Sequence, residues 1–473
     1  MEKQYVFDKK VVAIVVLIYF ISAVLFYYAA NERIHYTENW TGVEGNDGYL
    51  AELSDGTVVT QNLCFDVDYV YEVGISVATF ARINTGDIIF QLEDESGKTI
   101  AQKKVKAKSI QDNSVEKLTV KKSVGDGLYT LKIISDGGEE NASITLYRNS
   151  GVNYLGKGYF VNGEEYQGSL ELSIHGGTTR LVAHLYWPAV IIVGVILLSV
   201  LVWTERLAQK GMTNWLLRFL YSTNKYRFLI KQLVARDFKT RYKRSVLGVC
   251  WSLLNPILMM MVQYIVFSTI FRSNIENFPL YLLCGSVLFT FFTDSTGNGL
   301  SSIVGNASLI TKVHVPKYIY PVSKVLSTAI NLLLSMIPLL IVVLLTKAPI
   351  TKAYLLIPFV LICLTVFCIG MSFLLSSAMV FFRDTQFLWG VVTILWMYAT
   401  PLFYPETIIS ARYRLVLILN PMYHYILFLR TIMLQGISPC LSEYVYCAVF
   451  SLVVLLCGIF VYKKTENKFI LFI

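Results

Sequence analysis

Five cations crowd into nine residues: Arg236, Lys239, Arg241, Lys243 and Arg244. Guanidinium and ammonium groups at that density suit anions, and a long apolar segment (246–271) starts directly behind them. An anionic lipid surface is one partner, at about 1 kcal/mol per cation near the headgroups. The same charges also set orientation, because Lys and Arg collect in loops that stay inside. Both readings stand on these residues. A few positions further, Asn255 and Pro256 lie within the apolar segment. A helix-interior proline removes one backbone hydrogen bond and bends the helix. An intramembrane amide faces protein or a cavity, and packing is the simpler use of Asn255.

Other chemistries lack their patterns. No GxxxxGK[ST] phosphate loop occurs. Seven of the eight cysteines lie in or beside apolar segments, and Cys64 stands alone in the polar N-terminal part, so no disulfide closes there. No CxxC or His/Cys cluster has metal spacing, and the five histidines are scattered. The clustered acids, Glu93-Asp94-Glu95 and Glu164-Glu165, fall in turns and read as solvated. No catalytic or metal residues are expected.

The elements that must position the cations are mostly membrane spans. Of 473 residues 55% are hydrophobic and only 15% charged, well below the quarter usual in soluble domains. The net charge of +9 is unevenly placed. Residues 31–184 hold 22 acids against 14 Lys/Arg, about −8, and the rest of the chain carries about +17. The positive excess borders apolar segments, which argues against nucleic acid as a partner.

Val11–Ala30 is an unbroken apolar run preceded by Lys3, Lys9 and Lys10, so 1–30 reads as an anchor with its N-terminus inside. A cleaved leader is the competing reading, but a cut after Ala30 would put Tyr28 where a small residue is wanted. Residues 31–184 alternate apolar and polar in short runs (70–83, 87–100, 128–136, 142–148, 169–176) between Gly, Asp and Asn clusters. That pattern predicts an antiparallel β-sandwich outside the membrane. A second span, 185–203, returns the chain inside. Residues 204–245 form a basic linker in which Tyr226, Ile230, Val234, Phe238 and Tyr242 recur every fourth position. This apolar stripe predicts a helix lying on the lipid surface. Six further apolar segments follow within 246–473: 246–271, 279–298, 319–346, 353–381, 386–402 and 442–462. The expected fold is membrane α-helical, with about eight transmembrane helices, both termini cytoplasmic, and an extracytoplasmic all-β domain. Residues 401–441 are too polar and broken for a span and read as a re-entrant or interfacial element.

Four stretches in order resemble one family. LVARDFKTRYKRSVLGVCWSLLNP (233–256), NASLITKVHVPKYIYP (306–321), FFRD (381–384) and LNPMYHYILFLR (419–430) are similar to the permease subunits of type-2 ABC exporters of cell-surface polysaccharides such as O-antigens and teichoic acids. The resemblance covers about 226–472 and leaves the N-terminal half unexplained. It implies a six-helix permease core in the cytoplasmic membrane of a bacterium, working as a homodimer with two copies of an ABC ATPase subunit. The ATPase subunits would bind ATP and magnesium, so no cofactor is expected in this chain. It implies that Arg236, Lys239, Arg241, Lys243 and Arg244 flank an entrance for a polyprenyl-linked pyrophosphate headgroup. It also implies that Leu309, Ile310, Lys312, Val313, His314 and Pro316 couple to the ATPase; an ordinary inner loop is the plainer reading.

A glycan conduit would want aromatic faces for sugar C–H groups and hydroxyl or amide partners. Tyr264, Phe291, Trp396, Tyr398, Tyr404 and Tyr423 are the candidates, although membrane aromatics also face lipid or core. Two other functions remain open at this point. One is a type-2 exporter of a drug, lipid or peptide; the other is a membrane-anchored glycosyltransferase or sugar receptor.

Overall fold

A computed structural model describes the chain except residues 1–8, 44, 126, 140, 152–157, 181–182, 210–214, 243–246, 249, 272–276, 313–314, 407–413 and 473. It divides into two compact units, Glu32–Ala189 and Met1–Asn31 with Val190–Ile473.

The first unit is a β-sandwich. Its strands are β1 (Tyr36–Val43), β2 (Gly48–Tyr49), β3 (Val58–Leu63), β4 (Tyr69–Ala78), β5 (Asp87–Glu93), β6 (Thr99–Lys106), β7 (Ser114–Ser123), β8 (Tyr129–Asp136), β9 (Thr145–Asn149), β10 (Tyr159–Val161), β11 (Glu164–Tyr166), β12 (Ser169–Leu170) and β13 (Leu172–Thr179). One sheet runs β1-β13-β4-β9-β12, with β2 on β9 and β7 on β4; the other runs β11-β10-β3-β8-β5-β6. Every pairing is antiparallel. The cause is visible in β3, β5 and β8, where alternate residues are buried. Period two sends those side chains to one face. Val73, Ile75 and Leu118 of one sheet and Phe90, Leu131 and Ile133 of the other share one closed core. Each such side chain stabilises the fold by about 1.5–3 kcal/mol.

The second unit is helical. It contains α1 (Lys9–His35), α2 (Tyr186–Gln209), α3 (Trp215–Tyr242), α4 (Cys250–Phe271), α5 (Phe278–Leu300), α6 (Ala307–Lys312), α7 (Ile319–Leu345), α8 (Ile357–Phe381), α9 (Thr385–Ala399), α10 (Arg414–Ile418), α11 (Pro421–Arg430) and α12 (Leu441–Thr465). Among the described residues seven segments are long and apolar enough to cross a membrane: Val15–His35, Ala183–Thr204, Cys250–Phe267, Phe278–Leu300, Ile319–Leu345, Lys352–Phe381 and Leu441–Phe472. The eighth candidate span, 386–402, falls short. Its helix α9 has 15 residues, against about 20 needed to cross hydrocarbon.

Central in the unit is α5, which packs on α4, α7, α8, α9 and α11. Helices α8 and α12 meet at bare backbone: a Cβ on Gly458 would stand 2.4 Å from the Gly370 carbonyl oxygen. Small residues of this kind let membrane helices approach closely.

Between α9 and α12 the chain is broken, and α11 lies buried rather than at a surface. Broken backbone inside a bilayer must be satisfied by protein. Arg430, 7% exposed, does so: its Nη1 donates to Pro401 O at 2.8 Å, Nη2 to Leu402 O at 2.9 Å and Nε to Tyr281 O at 3.3 Å. Tyr281, whose ring lies under the guanidinium at 3.4 Å, donates its hydroxyl to Tyr404 O at 2.9 Å. Gly285 makes room, since a Cβ there would sit 2.9 Å from Arg430 Nη2.

Replacing Arg430 with Met keeps the bulk and strips these carbonyls of donors. The expected cost is about 3 kcal/mol, from unsatisfied buried groups at about 1–3 kcal/mol each. Thermal unfolding in detergent reads it as a clear fall in midpoint; an unchanged midpoint would show that other groups hold the break.

Candidate functional site

The spans carry polar residues in a pattern. Asn255 and Gln263 lie eight apart on α4; Ser286, Thr290 and Asp294 recur every four on α5; Thr328, Asn331 and Ser335 recur at three and four on α7. Such spacings keep to one helix face. The three faces meet in a cavity of about 330 Å³, whose apolar lining includes Trp251, Pro256 and Phe291. It shares Arg241, Asp294 and Thr328 with an adjoining cavity of about 460 Å³, lined also by Asp237, Asn298 and Lys324. Together they form one polar cleft between α3, α4, α5 and α7. Within it Gln263 Oε1 is buried and has no hydrogen-bond partner. Polar groups held at such cost inside spans mark pathways for polar cargo.

Two ion pairs bound the cleft and tie α3 to the spans. Arg241 Nη2 meets Asp294 Oδ2 at 2.6 Å, and Lys324 Nζ meets Asp237 Oδ2 at 2.9 Å. Arg236 donates to Asp237 at 3.0 Å and to Asn306 Oδ1 at 3.3 Å. Arg241 and Asp294 are each more than a third exposed, so their pair is worth about 0–1 kcal/mol. Apolar packing contributes more. Leu233, with Tyr226, Leu229 and Ile230, packs on Ile303, Ile310, Ile319 and Tyr320. The stripe assigned by sequence to a lipid surface is therefore spent, along these residues, on the helical unit itself. The pairs fix where α3 ends; the cluster holds its middle.

Of the five cations, Arg236 and Arg241 are engaged in this way and Lys239 is exposed. Lys243 and Arg244 lie outside the described residues. Asp294, which answers Arg241, and Lys324, which answers Asp237, are not among the residues the sequence singles out. The signal was a carboxylate in an otherwise apolar segment, FFTDSTG, and it was legible.

The six aromatic candidates separate. Phe291 is buried and lines the cleft. Trp396 is half-buried against Phe292, and its N–H donates to Asn420 Oδ1 at 2.8 Å. Asn420 also caps α11 by accepting from Met422 N and bonds Thr400, so Trp396 braces the broken segment. Tyr404 donates to Tyr398 O at 2.7 Å, and Tyr423 donates to Glu406. Tyr264 and Tyr398 have exposed rings on α4 and α9. None of these five lines the cleft.

The segment after α5 is short and half apolar. On α6, Ile310 is buried, whereas Leu309 is 38% exposed and Lys312 is exposed. Pro316 is half-buried, and Val313 and His314 lie outside the described residues.

Residues 228–434 match the family described as ABC-2 type transporter. The O-antigen export system permease protein RfbA of Myxococcus xanthus is 32% identical over 259 residues, which cover 54% of this chain and 98% of that protein. The chain belongs to the ABC-2 type transporter family. A protein of the same description from Klebsiella pneumoniae is 29% identical, over 51% of this chain and 93% of that one. In this ABC-2 transporter chain every residue of the cleft falls inside 228–434, and the sandwich falls outside it. A solved structure of CsCBM6-3 from Clostridium stercorarium in complex with cellobiose covers 23% of this chain and 88% of that one at 14% identity; with a TM-score of 0.16 it carries no argument.

Asp294→Asn should loosen the end of α3 with little loss of fold. Spin labels at Thr240 and Asn298 should report a broader distance distribution, while stability falls by no more than about 1 kcal/mol. An unchanged distribution would show that the apolar cluster alone places α3.

Proposed function

We propose that this chain is the membrane permease of an ATP-driven exporter of a lipid-linked cell-surface polysaccharide. One observation carries the reading: a polar cleft, bounded by Arg241 and Lys324, lies within the region similar to O-antigen export permeases. A polyprenyl pyrophosphate would compete with Asp294 and Asp237 for those two cations. Charge-assisted hydrogen bonds to a phosphate are shorter and stronger than neutral ones. Its arrival frees α3 from α5 and α7 and opens the cleft along its length. Asn255, Gln263, Asn331 and the hydroxyls of Ser286, Thr290 and Ser335 then offer partners for the leading sugars. Trp251 and Phe291 offer faces for their C–H groups.

The energy comes from a separate ATPase subunit that binds ATP and magnesium, since this chain has no phosphate loop of its own. Its docking segment is α6, where Leu309 stands exposed beside Lys312. Two permease chains and two ATPase chains make the transporter. It sits in the cytoplasmic membrane with both termini inside and the sandwich outside, as the placement of Lys and Arg favours.

Two variants test the reading. Leu309→Asp should abolish co-purification of the ATPase while the thermal midpoint holds. Asn331→Leu should keep the ATPase and lower surface glycan at least tenfold, measured by surface staining. Normal glycan display in both variants would contradict the proposal.

A further inference from the structure

Where β4 ends, the chain turns in a way its residue types do not favour. Phe80 and Ala81 follow one another in left-handed backbone, with φ of 56° and 55°. Neither is glycine or asparagine, and a Cβ makes that region costly. Strain of this kind persists only where neighbours enforce it, and it gathers at functional sites. The enforcing neighbours are present. Asp112 Oδ1 accepts from Thr79 N at 2.6 Å and from Thr79 Oγ1 at 3.0 Å. These bonds hold the Asp112 carboxyl below its usual range, so the anchor stays ionised. Asn84 Nδ2 donates to Thr79 O at 3.2 Å, and Arg82 pairs with Glu52 at 2.6 Å while donating to Ser143 O at 3.1 Å.

The strained turn holds out an aromatic side chain. Phe80 is 39% exposed, and the Arg82 guanidinium lies over its ring at 5.1 Å. Tyr49, 55% exposed, meets Phe80 edge-on at 5.1 Å. Tyr147 stands directly across from Tyr49 in the β2–β9 pair, and its hydroxyl donates to Asn113. Ile83, next to Arg82 in the chain, is 85% exposed. A ring that served only packing would be buried, and the backbone under it would relax. Here strain is spent on keeping a ring in solvent.

The chemistry of the patch selects its ligand. Aromatic faces attract the weakly positive C–H faces of pyranose rings. Asp112, Asn113 and Arg82 at the rim can meet hydroxyls. The unit carries about −8 over residues 31–184, which disfavours anionic chains and anionic lipid surfaces. We propose that Tyr49, Phe80 and Tyr147 form a binding platform for a neutral glycan chain. That this glycan is the transported one rests on the export reading above; the platform itself does not.

The test uses the full chain in detergent and the neutral fraction of the producing cells' own surface polysaccharide, coupled to agarose. The parent should be retained, and Phe80→Tyr should match it. Phe80→Gly should lose at least tenfold in affinity while its thermal midpoint holds or rises, because glycine accepts φ 56° without strain. A parent that is not retained, or Phe80→Gly retained equally, overturns the platform. So does Phe80→Gly with a lowered midpoint, which would mark the ring as packing. Reduced self-association of Phe80→Gly in sedimentation, with glycan retention intact, would make the patch a contact between copies and also overturn it. Surface staining of cells lacking the chain separates the two readings. Unchanged staining sinks export and leaves the retention result standing; lost staining with no retention sinks only the platform.

Discussion

Hydrocarbon offers no hydrogen bonds, so every polar group this chain carries into its spans must find a partner within the protein or in a wet cavity. The rest of the helical unit follows from that constraint. Where α9 stops short, the freed carbonyls of Pro401 and Leu402 are met by Arg430, and Tyr281 and Asn420 take up the groups on either side. With the break satisfied, α11 can be buried against α5, and α5 becomes the wall on which the cleft is built.

The same constraint separates structure from function among the polar residues. The groups around Arg430 answer one another and close. The cleft stays open: Gln263 keeps an unpaired buried oxygen, and polar side chains from three helices line the space. Magnitudes assign the ion pairs as well. At about 0–1 kcal/mol the exposed Arg241–Asp294 pair is too weak to hold α3 by itself, and the less exposed Lys324–Asp237 pair adds a second tie. The cluster around Leu233 carries the helix.

Much of this was legible in the sequence. Alternation announced the sandwich, since period two has one physical meaning where one face is buried. The long apolar runs announced the spans. The misses have local causes. The run 70–83 looked like one strand, but it ends at Ala78, where Phe80 and Ala81 turn the chain without any glycine to signal it. The apolar segment 386–402 looked like a span because hydropathy does not register that its helix stops at Ala399. The stripe on α3 looked lipid-facing because an apolar face does not say whether lipid or protein will cover it. Arg241 was found as one of a crowd of cations. Its partner Asp294 was overlooked because a single carboxylate hardly changes the hydropathy of its segment.

The central claim is that the cleft between α3, α4, α5 and α7 receives the glycan lipid. A photoreactive residue in place of Ser335, within the cleft, tests it during active export, with a second in place of the exposed Leu345 as reference. The account predicts ATP-dependent cross-links to glycan lipid from position 335 and none from 345. Export that proceeds with cross-links from 345 and none from 335 would place the path elsewhere and contradict it.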